Sequence, residues 1–266
     1  MKNTIFTFTI ILIFSIFINI NSSSAQELRV DEIVEKANLA AYYAGEDGKA
    51  DVEMIITDKN GNERSREFTI LRKTIKEGGE QKFYVYFNRP GDVRKMVFMV
   101  WKNVGKDDDR WLYVSSLDLV KRIAASDKRT SFMGSDFLYE DVSGRGIAED
   151  EHILVEHKDG YYLLNNIPKK PNEVEFTSYN IRINDQTFLP EKAEYYKGEK
   201  VYRIITAEKI EVIDGYPTVI EAKAKDLETG SETVNIFSKI TYDIGIPDNI
   251  FTERYLRRAP KTWLKK

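Results

Sequence analysis

Few side chains in this sequence have the types and spacing that catalysis or metal binding needs. Its two histidines, His152 and His157, stand five apart in a β-type segment. Successive strand residues alternate faces, so an odd spacing puts them on opposite sides, where they cannot share a metal ion. Asp107-Asp108-Asp109 offers the carboxylate oxygens that hard cations prefer. It lacks the spaced pattern of a calcium loop, however, and reads as a polar hairpin turn. The chain has no cysteine, which removes thiol nucleophiles, disulfides and a lipidated cysteine. There is no Gly-x-Ser-x-Gly elbow, and no glycine-rich phosphate loop opens a helix. No metal and no cofactor is implied, and the chain does not read as an enzyme.

One stretch stands apart from its surroundings. From Lys121 to Gly146 (KRIAASDKRTSFMGSDFLYEDVSGRG) neither strand nor helix periodicity holds. Ser131, Gly134 and Ser135 alternate with Phe132, Met133, Phe137 and Tyr139, and Asp136, Glu140 and Asp141 form an acidic cluster. Breaks of this kind mark functional or strained segments.

The flanking elements must position that stretch. Asp31–Tyr43 has the apolar spacing of an amphipathic helix, with Asp31 as candidate N-cap and Gly45 beyond its end. A long series of two-residue periodicity follows. Before the stretch, strands are expected at 51–57, 63–75, 81–87, 93–102, 110–115 and 119–123. After it they are expected at 153–156, 161–167, 174–183, 191–196, 201–212, 216–225 and 233–242. Tight-turn sequences such as Asn60-Gly61, Asp159-Gly160 and Asp214-Gly215 separate them. The expected fold is mainly β with a few helices: an antiparallel meander curling into a barrel or half-barrel.

The later strands alternate cleanly, which predicts one wet and one dry face. The earlier strands do not. Met96, Phe98 and Val100 share one parity and Val97, Met99 and Trp101 the other, while Trp111 and Tyr113 interleave with Leu112 and Val114. A strand apolar on both faces must be covered on both, by further layers of this chain or by an apolar ligand.

The first residues read as a leader. Ile5–Ile20 is almost wholly apolar and Ser23-Ser24-Ala25 supplies small residues, so cleavage is expected after Ala25, with an uncleaved anchor as the alternative. The remaining 26–266 reads as a single domain with 39 basic and 43 acidic residues, a net charge of −4. That balance excludes the basic footprint of a nucleic-acid binder. Export without cysteine points to the periplasm. The basic, aromatic-bearing end from Glu253 to Lys266 reads as a solvated tail able to touch an anionic membrane transiently.

Arg110-Trp111-Leu112-Tyr113-Val114, Lys121-Arg122-Ile123 and Ser131 to Asp141 (SFMGSDFLYED) together resemble the signature of the outer-membrane lipoprotein-sorting proteins, a LolA-like family. Arg89-Pro90-Gly91-Asp92 and Leu189-Pro190-Glu191-Lys192-Ala193-Glu194-Tyr195-Tyr196 resemble flanking motifs of the same family. Arg94-Lys95 and Leu138 depart from it, the latter standing where Ser or Thr is usual. The resemblance implies a LolA/LolB-type unclosed barrel with helices across its concave mouth. It also implies a monomeric carrier of lipoprotein acyl chains or lipid, partnered by an inner-membrane RND/MMPL-type exporter and lacking catalytic residues. Met96, Phe98, Trp111 and Tyr113 are then candidate cavity residues, with Phe132, Met133 and Phe137 as a lid or, equally, as fixed core. A non-carrier accessory or sensor subunit of an export complex is the alternative function, and an envelope hydrolase a distant third.

Overall fold

A computed structural model describes residues 28–264, so the expected leader through Ala25 lies outside the described residues. The chain opens with helix α1 (Val30–Tyr42), in which Ile33, Val34 and Ala37 are buried. Arg29 rather than Asp31 takes the N-cap position, and Asp31 sits in the first turn, where an acidic side chain suits the helix dipole.

Thirteen strands follow. Six precede the irregular stretch: β1 (Asp47–Thr57), β2 (Glu63–Thr74), β3 (Gln81–Arg89), β4 (Val97–Lys102), β5 (Asp109–Val114) and β6 (Leu119–Ile123). Seven come after it: β7 (Asp150–Lys158), β8 (Tyr161–Pro168), β9 (Ser178–Asn184), β10 (Pro190–Lys197), β11 (Lys200–Ile213), β12 (Tyr216–Asp226) and β13 (Ser231–Tyr242). All thirteen match strands expected from periodicity. The start of β9 moves to Ser178, because Pro171–Glu173 forms a 3-10 turn before it.

The strands make one antiparallel sheet in the order β6-β5-β4-β3-β2-β1-β13-β12-β11-β10-β9-β8-β7. Two local meanders are thus joined by a single non-local seam, β1 against β13, where Gly48 faces Tyr242. The sheet is not closed: β6 and β7 are its free edges, yet they are neighbours in the chain. The irregular segment 124–149 therefore runs from one edge to the other across the open mouth, and this is why it follows no strand period.

The middle of the first meander, β3–β5 with part of β2, is dry on both faces, and both covers come from this chain. On the concave face Val52, Met54, Phe68, Phe83, Val85, Phe87, Phe98, Val100 and Leu112 pack under Phe132 and Tyr139 of the spanning segment. On the convex face Leu71, Tyr84, Val97, Met99 and Trp111 pack under Ile246, Ile250, Phe251 and Leu256. This second cover includes α3 (Glu253–Arg257) and is flanked by Trp263 and Leu264 of α4 (Lys261–Leu264). The C-terminal segment described through Leu264 is therefore not a solvated tail. Its apolar side chains are needed on a face that strand parity leaves bare. Hydrogen bonds hold it: Trp101 Nε1 donates to the Phe251 carbonyl at 2.8 Å, and the Tyr84 hydroxyl to that of Tyr255 at 2.7 Å. Buried Asp47 accepts the backbone N–H groups of Ile244 and Ile246.

Candidate functional site

The signature Ser131–Asp141 builds a compact plug. Met133 (φ 54°) and Gly134 (φ 78°) turn the chain in the left-handed region, which glycine adopts without strain. Phe132 N–H donates to the Phe137 carbonyl at 2.7 Å, and Ser131 bridges Leu138. Inside the turn the Ser131 hydroxyl donates to the Ser135 carbonyl and the Ser135 hydroxyl to that of Phe132, which saturates backbone groups that no strand could reach. Phe132, 2% exposed, is ringed by Phe68, Phe87, Phe98 and Tyr139, with ring centroids 5.4–6.3 Å away.

The acidic cluster anchors the plug. Asp136 accepts hydrogen bonds from Ser231 Oγ at 2.5 Å and Thr233 Oγ1 at 2.6 Å on β13. Asp141 accepts the N–H of Leu138 at the start of α2 (Tyr139–Ser143) and pairs with Arg203 of β11. Glu140, 2% exposed, lies 2.6 Å from Arg129, 3.2 Å from Lys128 and 3.3 Å from Arg145. Burial works to raise its carboxyl, but Arg129, Arg145 and Lys128 outweigh burial and hold it below the usual carboxylate range. Arg129 continues to Glu175 at 2.7 Å and Arg145 to Asp150 at 2.8 Å. Burial, too, opposes ionisation of Glu175, yet Arg129 and the Tyr202 hydroxyl bring it down to about 2. So the spanning segment is tied to β7, β11, β13 and the loop before β9 by charged and hydroxyl contacts, most of them with at least one buried partner.

Beside the plug the concave face of the second meander is hollow. A cavity of about 470 Å³ lies between α1 and the inner faces of β8 to β13, reaching Ala50, Ile70 and Phe83 of β1 to β3. Both walls carry small side chains where larger ones would meet: Ala37 and Ala41 on the helix, Ala193, Ala207 and Ala222 on the sheet. Ile181, Ile183, Leu164 and Ile205 make the wall apolar. One end is polar, lined by Tyr42, Glu140, Asp141, Arg145, Tyr195, His152 and Asn166.

Phe137 is the one member of the candidate cavity and lid set that lines this space. Met96, Phe98 and Phe132 belong to the packed core beneath the plug, with Met133 partly buried against it. Trp111 and Tyr113 point to the convex face, where Trp111 stacks edge-on with Trp101 at 5.0 Å. Arg122, also of the signature, lies over the Trp111 ring at 5.2 Å and pairs with Asp109. The cavity-lining residues that parity does reveal are on the dry faces of the later strands, such as Tyr179, Ile181 and Ile183. The alanine pairs and Tyr42 carry no signal in one sequence.

The histidine parity argument fails for a definite reason. A β-bulge between Leu154 and Glu156 inserts one residue, so His152 opposes Asn166 and His157 opposes Tyr162, and both face inward. Four positions of β8 still separate their partners, roughly 13 Å of strand. His152 contacts Asn166 Oδ1 and the Ile147 carbonyl, while His157 contacts Asp185 and stacks on Tyr162. The aspartate run is a turn: Asp108 pairs with Arg110 at 2.7 Å and caps Asn103 N–H. Among the described residues no group of three or more His, Asp or Glu is placed to hold a metal ion.

An unclosed antiparallel sheet wrapped round one apolar cavity, with a helix as its roof, defines the LolA-like class of fold. Comparisons agree. The chain is similar to a DUF1329 family protein from Desulfovibrio piger at 30% identity and TM-score 0.77, over 85% of this chain and 97% of that one. It is similar to a domain from Vibrio parahaemolyticus named for outer-membrane lipoprotein sorting, at 26% identity and TM-score 0.76 over the same shares of the two chains. A LolA superfamily protein from Nitrosomonas europaea shares the fold at 19% identity and TM-score 0.66, over 86% of this chain and 100% of that one. A family model described as that of an uncharacterized protein matches residues 79–258. No curated protein matches the sequence significantly. The chain belongs to the DUF1329 family, with a LolA-like fold.

Proposed function

We propose that this protein is a periplasmic carrier that holds acyl chains of lipoproteins or lipids in the cavity under α1 and moves them toward the outer membrane. The carrying observation is the alanine-walled, mainly apolar space of about 470 Å³ on an otherwise dry face. This volume lies within the range of roughly 300–1,000 Å³ typical of small-ligand sites. Each methylene buried there gains about 0.8 kcal/mol, enough to draw a chain of a dozen carbons out of water. The cargo is held without a chemical step. The source of the cargo in this reading is an RND/MMPL-type inner-membrane exporter, the partner implied by the family resemblance.

Access in this reading comes from α1, not from Ser131–Asp141. The signature segment is pinned by Asp136, Glu140, Asp141 and their partners. By contrast, α1 rests on the sheet mainly through Ile33, Val34 and Ala37. The test is to purify the protein from its native host without detergent and identify co-purifying lipids by mass spectrometry. Stoichiometric acyl species, lost when α1 is cross-linked to β9 before loading, support the carrier. Cargo-free protein bound tightly to a membrane complex overturns it in favour of an accessory subunit.

A further inference from the structure

The polar end of the cavity holds donors that the protein itself does not use. Tyr42 and Tyr195 both line the space, and neither hydroxyl has a hydrogen-bond partner among the described residues. The hydroxyl end of Tyr42 is held against Gly144, another lining residue. A Cβ built on Gly144 would stand 2.5 Å from the Tyr42 ring and 2.9 Å from its oxygen. Arg203, 4% exposed, lies with its guanidinium 5.2 Å from the Tyr195 ring centre. Its Nη2 serves Asp141 and the Asp136 carbonyl, while Nη1 is buried without a partner. Two unpartnered hydroxyls that line an apolar space, with one buried, unpaired N–H of Arg203 behind Tyr195, point to an acceptor that arrives from outside.

The charges around that corner say which acceptor. Glu140 and Asp141 line the same end, and each already has its cationic partners. Burial first, then Asp141, Tyr195 and Glu140, keep the Tyr42 hydroxyl protonated, and burial does the same for Tyr195. A carboxylate would enter beside two carboxylates whose nearest cations, Arg129, Arg145 and Lys128 at Glu140 and Arg203 at Asp141, are already engaged. A neutral carbonyl oxygen takes the same hydrogen bonds without that repulsion.

We propose that Tyr42 and Tyr195, backed by Arg203, form a head-group subsite for a neutral acyl carbonyl, an ester or an amide, and that the cavity discriminates against free fatty acids. The proposal rests on the acyl-carrier reading above. The test uses radiolabelled dodecane, dodecanoate, methyl dodecanoate and N-methyldodecanamide, retained on the full-length mature protein during gel filtration at neutral pH. The ester or the amide binds at least about tenfold tighter than dodecanoate. The tighter of the two marks whether the natural group is an O-acyl or an N-acyl chain. In the Tyr42→Phe/Tyr195→Phe double variant that selectivity shrinks about tenfold while dodecane retention stays unchanged. Its melting temperature also stays unchanged, because the lost hydroxyls have no protein partner. Equal weakening of dodecane and ester, or a preference for dodecanoate, overturns the subsite and leaves the cavity standing. Failure of the wild-type protein to retain any of the four probes overturns the carrier reading itself.

Discussion

The two halves of the sheet solve the same problem in opposite ways. In the first half, β3–β5 and their neighbours meet other parts of the chain on both faces: Phe132 and Tyr139 fill the concavity, and the segment from Ile246 to Leu264 covers the back. In β7–β13 the back is wet, and the dry inner face is left short of filling, with alanine opposite alanine under α1. The family signature spans both: Phe132 and Tyr139 fill the first half, while Phe137, Glu140 and Asp141 line the cavity of the second.

The sharpest way to break this contrast is to empty the filled half. Phe132→Ala removes the centre of a five-ring cluster and is expected to cost about 3–5 kcal/mol in urea denaturation, with little change in ligand affinity. Glu140→Gln leaves three buried cations without their shared counter-charge and is expected to cost a comparable or slightly smaller amount, on the order of 3 kcal/mol. The same contact gives a pH signature. Glu140 titrates below its unfolded value, so its stabilisation is complete above the ordinary carboxylate range and fades only as pH falls through the lower folded value. Acid titration of stability should show this fading in the wild type and not in Glu140→Gln.

Lys102 tests the filled half with the opposite sign. It is 7% exposed, donates to the Ser143 carbonyl at 2.7 Å, and burial pushes its ammonium down to about 8 against the pull of Asp108. The unfolded chain holds that proton more tightly, so stability should rise between about pH 8 and pH 10.4, by up to about 3 kcal/mol. Lys102→Met should abolish the rise. A flat wild-type profile in that window would show that the buried amine is not strained.

Phe137 sits on the boundary between the halves. Phe137→Ala is expected to cost about 1.5–3 kcal/mol, the transfer value for one large side chain, and to enlarge the cavity. A loss as large as that of Phe132→Ala would move Phe137 wholly into the filled half. The smallest stability effect belongs to the hollow half: Ala193→Phe should change stability by less than about 1 kcal/mol yet abolish retention of an apolar ligand. A cost of several kcal/mol there would mean that the space is already closed by motion of α1.

Much of this was legible in the residues. Alternation and turn pairs such as Asn60-Gly61 located all thirteen strands, and the two-faced apolar run of β3–β5 correctly demanded two covers. Parity cannot say what a dry face touches, so the cavity was expected on β4 and β5, whose inner face the plug fills. It lies instead mainly on β8–β13, with β1 to β3 at its margin. Tertiary demand likewise ordered Tyr255, Leu256 and Trp263, which read as a tail because their partners are more than a hundred residues away. A single inserted residue at the β7 bulge was enough to reverse the face assigned to His157, since period-two reasoning carries every error forward.

The seam between β1 and β13 also sets how the molecule must be made. Every other strand pairing joins neighbours in the chain, but this one waits for Tyr242 to find Gly48. Either meander can therefore zip locally before its companion forms, but no cavity exists until β1 and β13 meet. Closing that loop is an entropic step of the kind that slows β-rich chains. Until it happens, two long strand edges and the apolar inner faces are open to neighbouring molecules. Substitutions at the seam should therefore act mainly on the rate of folding and on the yield of folded protein, with less effect on the shape of the finished cavity.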